Sequence, residues 1–394
     1  MATPRDPSQK RFTAVRREGE RVTPLELFFD LVFVLALTQC TALMADEPTW
    51  AGVGKAMLVL AVLWWAWVGY AWLTSVVDPE EGSVRIAMFA AMAALLVAAL
   101  CVPGAFGDDA LTLAIAIGFV RAAHIALFTL ASREDPALRK SVVGLGVSTG
   151  IAIGLLVAGS FFDGSAQAAL WVLALVVDLG GPAFFGAAGW ELVPDHFAER
   201  HGLIVIIALG ESIVAIGIGA EHGIDGGVIY GAIVAVALAA TMWWLYFDAA
   251  SIMGARRLAA ATVGREQNEM ARDAYSFLHY PMVAGIVLVA LGLKTTLGHV
   301  DEPLPTVEAF AFVGGLSIYV LAHVAFAWRT YRGSKPWRLL LALVLLALLP
   351  VVREIDAVVS LTIVAAVAAI VVAFETVRYA ELRDQIRHER EPEV

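Results

Sequence analysis

The 394-residue chain is 60% hydrophobic and only 16% charged, with a formal net charge of −10. A soluble domain covers its surface with about a quarter charged residues, so this composition excludes a soluble enzyme and calls for an apolar solvent around the fold. The acidic balance, without a basic stripe or stacking platform, excludes nucleic acid as a partner.

In chain order, residues 1–24 are polar and charged, include Pro4 and Pro7, and read as a cytoplasmic tail without a cleavable signal peptide. Apolar runs long enough to span a bilayer, which needs about 20 residues, follow at roughly 25–45, 51–74, 85–103, 110–132, 141–162, 166–188, 201–220, 227–249, 273–296, 306–328, 337–352 and 357–379. An all-α, polytopic transmembrane helix bundle of twelve spans is predicted. Its eleventh span is the shortest and carries Pro350 near its end. Residues 380–394 form a second cytoplasmic tail.

The loop charges agree with that count. With the N-terminus cytoplasmic, Arg85, Arg133, Arg139, Lys140, Arg200, Arg256, Arg257, Arg329, Arg332, Lys335 and the tail arginines fall on one side. The opposite loops hold Arg353 beside acids such as Asp46, Asp108, Glu221, Asp225 and Asp301. Positive charge is retained on the cytoplasmic side during insertion, so both termini are expected there, in a bacterial cytoplasmic (inner) membrane.

The halves resemble each other. Trp64-Trp65 matches Trp243-Trp244, Ala123-His124-Ile125-Ala126 matches Ala322-His323-Val324-Ala325, and Asp30 falls opposite Glu211. This predicts a 6+6 parallel tandem repeat, 25–188 and 201–379, joined by a cytoplasmic linker at 189–200, with a pseudo-twofold axis along the membrane normal.

Ionisable groups inside spans are costly unless they face the bundle interior or a water-filled path. Glu26 and Asp30, four residues apart, share one helix face. Arg121 and His124 share a face of the fourth span, and Arg121 needs an acid from another helix: Asp30, Asp178 or Glu211. His279 and His323 sit in the inner parts of the ninth and tenth spans. Asp248 and Glu375 are placed to reach the interface. Two readings stay open: helix–helix glue, or a proton or cation path through carboxylates and imidazoles. His196, Glu199 and Arg200 read as a cytoplasmic cap before the seventh span. Cys40 and Cys101 read as buried small hydrophobes, with a disulfide as the alternative. No metal-ligand spacing, phosphate loop or nucleophile elbow is present. The chain is therefore expected to be no enzyme, with no cofactor and no metal.

The run Arg21-Val22-Thr23-Pro24-Leu25-Glu26-Leu27-Phe28-Phe29-Asp30-Leu31-Val32-Phe33-Val34 resembles the N-terminal signature of the bacterial low temperature requirement A (LtrA) family. Glu199-Arg200-His201-Gly202-Leu203, followed by Ile206-Ile207-Ala208-Leu209-Gly210-Glu211-Ser212, resembles its second signature. The resemblance implies a bacterial membrane protein tied to growth in the cold and supplies no substrate. Three functions follow as expectations. The first is a transporter or channel for an ion or small solute, proton-linked, with Asp30 and Glu211 on the pathway. The others are an intramembrane enzyme acting on lipid or isoprenoid, and a membrane scaffold or sensor. The partners expected are the lipid bilayer and that solute, and the oligomeric state is open.

Overall fold

The computed structural model describes residues 21–384 apart from 81, 134, 186–189, 191, 334 and 382. Most of the two expected tails and part of the 189–200 linker lie outside the described residues. The described chain is all-α, in the order α1 (Pro24–Asp46), α2 (Trp50–Val76), α3 (Gly82–Leu100), α4 (Ala110–Ala131), α5 (Pro136–Gly159), α6 (Gly164–Phe185) and α7 (Pro194–Gly219). It continues with α8 (Gly226–Phe247), α9 (Ala250–Ala260), α10 (Arg265–Met270), α11 (His279–Gly298), α12 (Thr306–Tyr331), α13 (Pro336–Val352) and α14 (Ala357–Arg378).

Eleven of the helical segments are long and apolar enough to cross a membrane, with α8–α9 and α10–α11 each counted once. α13, the eleventh expected span, is apolar but only 17 residues long. At 1.5 Å per residue it covers about 26 Å of a hydrocarbon core of about 30 Å. Large apolar side chains point outward along the helices: Ile86, Ile115, Ile233 and Leu343 are all more than half exposed. Hydrocarbon is the solvent in which such a surface is stable, and closed helical hydrogen bonding is what lets the backbone enter it.

Helix ends depart from the hydropathy boundaries where polar residues start a helix. α5 begins five residues before the expected 141, because Asp135 caps it by accepting from the amides of Ala137 and Leu138, and Pro136 follows. α7 begins at Pro194, not at 201, which draws His196 and Arg200 into a helix. α9 was not expected at all. It is short and amphipathic, burying Ala250, Gly254 and Leu258 at helical spacing and carrying Arg256 and Arg257. The ninth expected span is interrupted by a π-helical turn, Ala271–Phe277.

The chain packs as two compact units. The first is the described part of Met1–Gln39 with Leu58–Arg200 and Thr262–Glu269; the second is Cys40–Met57, His201–Ala261 and the described part of Met270–Val394. In the first unit α3 packs on α4, α4 on α5 and α5 on α6. In the second, α11 packs on α12, α12 on α13, and α14 on both α13 and α8. The α11–α12 contact is backbone against backbone. A Cβ added at Gly285 would lie 2.6 Å from the Gly315 carbonyl oxygen, and one added at Gly315 would lie 2.6 Å from the Leu288 Cβ. Small residues of this kind let helices approach closely in a bilayer. Cys40 and Cys101 are both buried and free.

Candidate functional site

The first turn of α1 is closed by a reciprocal capping box. The Thr23 amide and hydroxyl donate to Glu26 Oε2 at 2.8 and 3.0 Å, and the Glu26 amide donates to Thr23 Oγ1 at 3.4 Å. That fixes the Glu26 carboxylate at the helix entrance. Its other oxygen, Oε1, accepts from Arg200 Nη1 at 3.0 Å and lies 2.8 Å from His196 Nε2. One helical turn on, Asp30 Oδ1 accepts from Arg200 Nη2 at 2.6 Å and from the Trp67 indole of α2 at 2.8 Å. Arg200 Nη1 also donates to Thr74 Oγ1 at 3.1 Å, and the guanidinium carbon stands 5.6 Å from the Trp67 ring centre. Glu26, Asp30, His196 and Arg200 are all fully buried. Two pairs spaced i, i+4, acids on α1 and bases on α7, thus meet in register, so α1 and the start of α7 run in the same direction.

Some buried polar atoms of this network are left over. Glu26 has both oxygens engaged. Among the described residues Asp30 Oδ2 and Arg200 Nε have no partner, although both are buried. Two carboxylates share one guanidinium, and His196 stands beside Glu26. His196 Nδ1 lies 3.1 Å from Ser75 Oγ, which also has the Ala71 carbonyl within 3.1 Å. A serine hydroxyl has one proton and two lone pairs. With neutral His196, Ser75 donates to Nδ1; with the imidazolium, Nδ1–H donates to Ser75 and the hydroxyl turns to Ala71. The site therefore has bonded arrangements for both protonation states.

The cap expected from His196, Glu199 and Arg200 is divided by the structure. Glu199 is exposed, accepting from the Val22 amide at 3.1 Å. His196 and Arg200 are instead buried, because helix α7 starts early enough to place them against Glu26 and Asp30.

Arg121 finds its acid in Asp178: Nη2 is 2.9 Å from both Asp178 oxygens and 3.0 Å from Thr149 Oγ1, which donates to Asp178 Oδ1 at 2.7 Å. His124 Nδ1 lies 3.4 Å from Arg121 Nη1. Both Asp178 oxygens are engaged, unlike those of Asp30, and the group joins α4, α5 and α6; among the described residues Arg121 Nε and His124 Nε2 have no hydrogen-bond partner. Gly69 makes room for it, since a Cβ there would lie 2.6 Å from Arg121 Nη1.

Within the second unit, Glu211 is buried on α7. His279 is held by Tyr246 Oη at 2.8 Å and, through Nδ1, by the Ala274 carbonyl at 3.0 Å; the π turn holds that carbonyl. His323 stacks its ring edge against Tyr319 and Tyr246. Asp248 pairs with Arg383, and Glu375 with Arg338 at 3.0 Å. Among the described residues, no cluster of three or more His, Cys, Asp or Glu side chains is arranged to hold a metal ion.

Many apolar helices around buried, paired charges define a multi-pass α-helical membrane protein. The chain belongs to the bacterial low temperature requirement A protein (LtrA) family, whose model matches residues 21–373. It is also similar to an uncharacterized protein, RA0937, of Rhizobium meliloti (strain 1021), with 30% identity over 307 residues, 75% of this chain and 74% of the relative. No solved structure matches it significantly.

Proposed function

We propose that the protein moves an ion or small solute across the bacterial cytoplasmic membrane, coupled to a proton, with the Glu26–His196–Arg200–Asp30 network as its charged centre. The observation that carries this reading is the buried Asp30 Oδ2, which lacks a partner among the described residues beside a guanidinium that Asp30 shares with Glu26. A structural ion pair has no need of that spare acceptor, and an unmet buried acceptor costs about 1–3 kcal/mol. A proton or a cation arriving there satisfies that acceptor. On this reading the protein catalyses no covalent chemistry, needs no cofactor, and has the bilayer and its solute as partners.

The test is flux in liposomes across a panel of ions, pH gradients and small solutes, with thermal stability measured on the same preparations. Asp30→Asn keeps the acceptor for Trp67 and Arg200 and removes the charge. It is expected to fold and insert while its flux falls to background. Wild-type flux in a stable Asp30→Asn protein would reject the site.

The 6+6 parallel repeat belongs to the same reading. It is supported by the parallel starts of α1 and α7, which require an even number of crossings between them. It is also supported by a repeated contact: Tyr70 of α2 faces His124 of α4, and Tyr246 of α8 faces His323 of α12, each with ring centres 5.7 Å apart. The tryptophan pairs support it less, because Trp64 and Trp65 are buried whereas Trp243 and Trp244 are exposed. Single cysteines at Asp46 and Glu221, which follow the first and seventh spans, should both label from outside intact cells, with both termini inside. An inverted repeat would put the two on opposite faces.

A further inference from the structure

The second unit holds a charged cavity that the proposed pathway does not use. It lies where the C-terminal end of α8, the N-terminal end of α13 and the C-terminal end of α14 meet, and has a volume of about 260 Å³. Five charged side chains border it. Arg338 Nε donates to Glu375 Oε2 at 3.0 Å and its Nη1 to the Leu245 carbonyl at 3.3 Å. Arg383 is ion-paired with Asp248, and its guanidinium carbon stands 5.6 Å from the Trp244 ring centre. Each acid is thus matched by an arginine, and Lys335 is left over. Among the described residues no carboxylate stands within ion-pair distance of its ammonium, whose recorded contact is the Tyr331 ring, with the centre 5.8 Å away. Burial and the neighbouring Arg338 hold the Lys335 ammonium below the usual lysine range, with Glu375 opposing them in part. A cation is therefore held at a cost beside an open space, with no carboxylate of the described residues in contact with it.

The surroundings narrow the occupant. Trp244 and Trp337 border the cavity, and indoles favour the level of lipid headgroups. Leu245 and Val372 continue the lining on the span side, so an occupant with an apolar end has hydrocarbon to enter. The volume falls just below the range of about 300–1,000 Å³ that holds a drug-sized molecule, which suits a headgroup rather than a whole lipid. Lysine binds phosphate as a point charge, and basic pockets between spans take anionic headgroups. We propose that this cavity binds the phosphate of an anionic phospholipid headgroup, with Lys335 as its counter-charge.

The experiment uses the full-length protein, purified and delipidated in detergent, with bound lipid counted by native mass spectrometry. Dioleoylphosphatidylglycerol, dioleoylphosphatidylcholine and inorganic phosphate are titrated separately. The wild type should retain phosphatidylglycerol over phosphatidylcholine. Lys335→Ala should weaken phosphatidylglycerol binding about fivefold, the effect of one lysine at a membrane surface, and Lys335→Arg should retain it. The alanine variant should fold, because the Lys335 side chain makes no capping bond to α13; an unchanged melting temperature without lipid checks this. Equal phosphatidylglycerol binding by wild type and Lys335→Ala would overturn the proposal. So would Lys335-dependent binding of inorganic phosphate that phosphatidylglycerol does not displace, which would make the site one for a free anion.

Discussion

Arg200→Ala is expected to destabilise the protein by about 3–5 kcal/mol, the range for breaking a buried ion pair from one side. The guanidinium serves Glu26, Asp30 and Thr74 at 3.0, 2.6 and 3.1 Å, and both acids are fully buried. Removing it leaves two buried carboxylates without the guanidinium they share. The cost therefore comes mainly from the charges left behind, and neutralising them should recover stability. The triple variant Glu26→Gln, Asp30→Asn, Arg200→Ala should melt well above Arg200→Ala. Melting temperatures in one detergent, together with the fraction of monodisperse protein, check this. If Arg200→Ala melts with the wild type, the network carries no energetic coupling and the site loses its basis.

The second large effect is expected at Gly285. An alanine there must place its Cβ 2.6 Å from the Gly315 carbonyl oxygen and 2.9 Å from the Tyr319 amide nitrogen. Both are backbone atoms, so no side chain can swing away; α11 and α12 must move apart along their whole contact. A loss of about 2–3 kcal/mol is expected, towards the upper end for overpacking. Gly314 supplies the control, because a Cβ there meets nothing within 4 Å. Gly314→Ala should be neutral, or stabilising by up to about 1 kcal/mol through a less flexible unfolded chain. Equal effects at the two glycines would mean that the close approach of the helices does not limit stability.

The spans were legible because bilayer solvent imposes a length and a composition that few other structures share. What sequence reasoning missed lies where that rule does not apply. Hydropathy starts the seventh span at 201, since the residues before it are charged, yet Pro194 followed by Asp195 is a helix-start signal in its own right. Read that way, His196 and Arg200 form an i, i+4 pair complementary to Glu26 and Asp30, and the network could have been proposed from spacing alone. Arg121 was the easier case: one intramembrane guanidinium must find an acid, and Asp178 was among three candidates. The π turn at Ala271–Phe277 leaves no trace in composition. α9 is only 11 residues long and too polar for a span, so hydropathy does not mark it. The tryptophan pairs show the opposite error, in which identical dipeptides occupy different environments.

The contact between Arg200 and Asp30 joins residues 170 positions apart, and that separation is also an interval of time. At about 5–20 residues per second, the ribosome makes the arginine roughly 10–30 s after the aspartate. Within that interval the partners already made are Thr23 for Glu26 and, once a further 37 residues have followed Asp30, the Trp67 indole. The first helix must therefore wait beside the insertion machinery with its acids half satisfied until the seventh is made. Its N-terminal turn is locked only when a helix made well after it arrives.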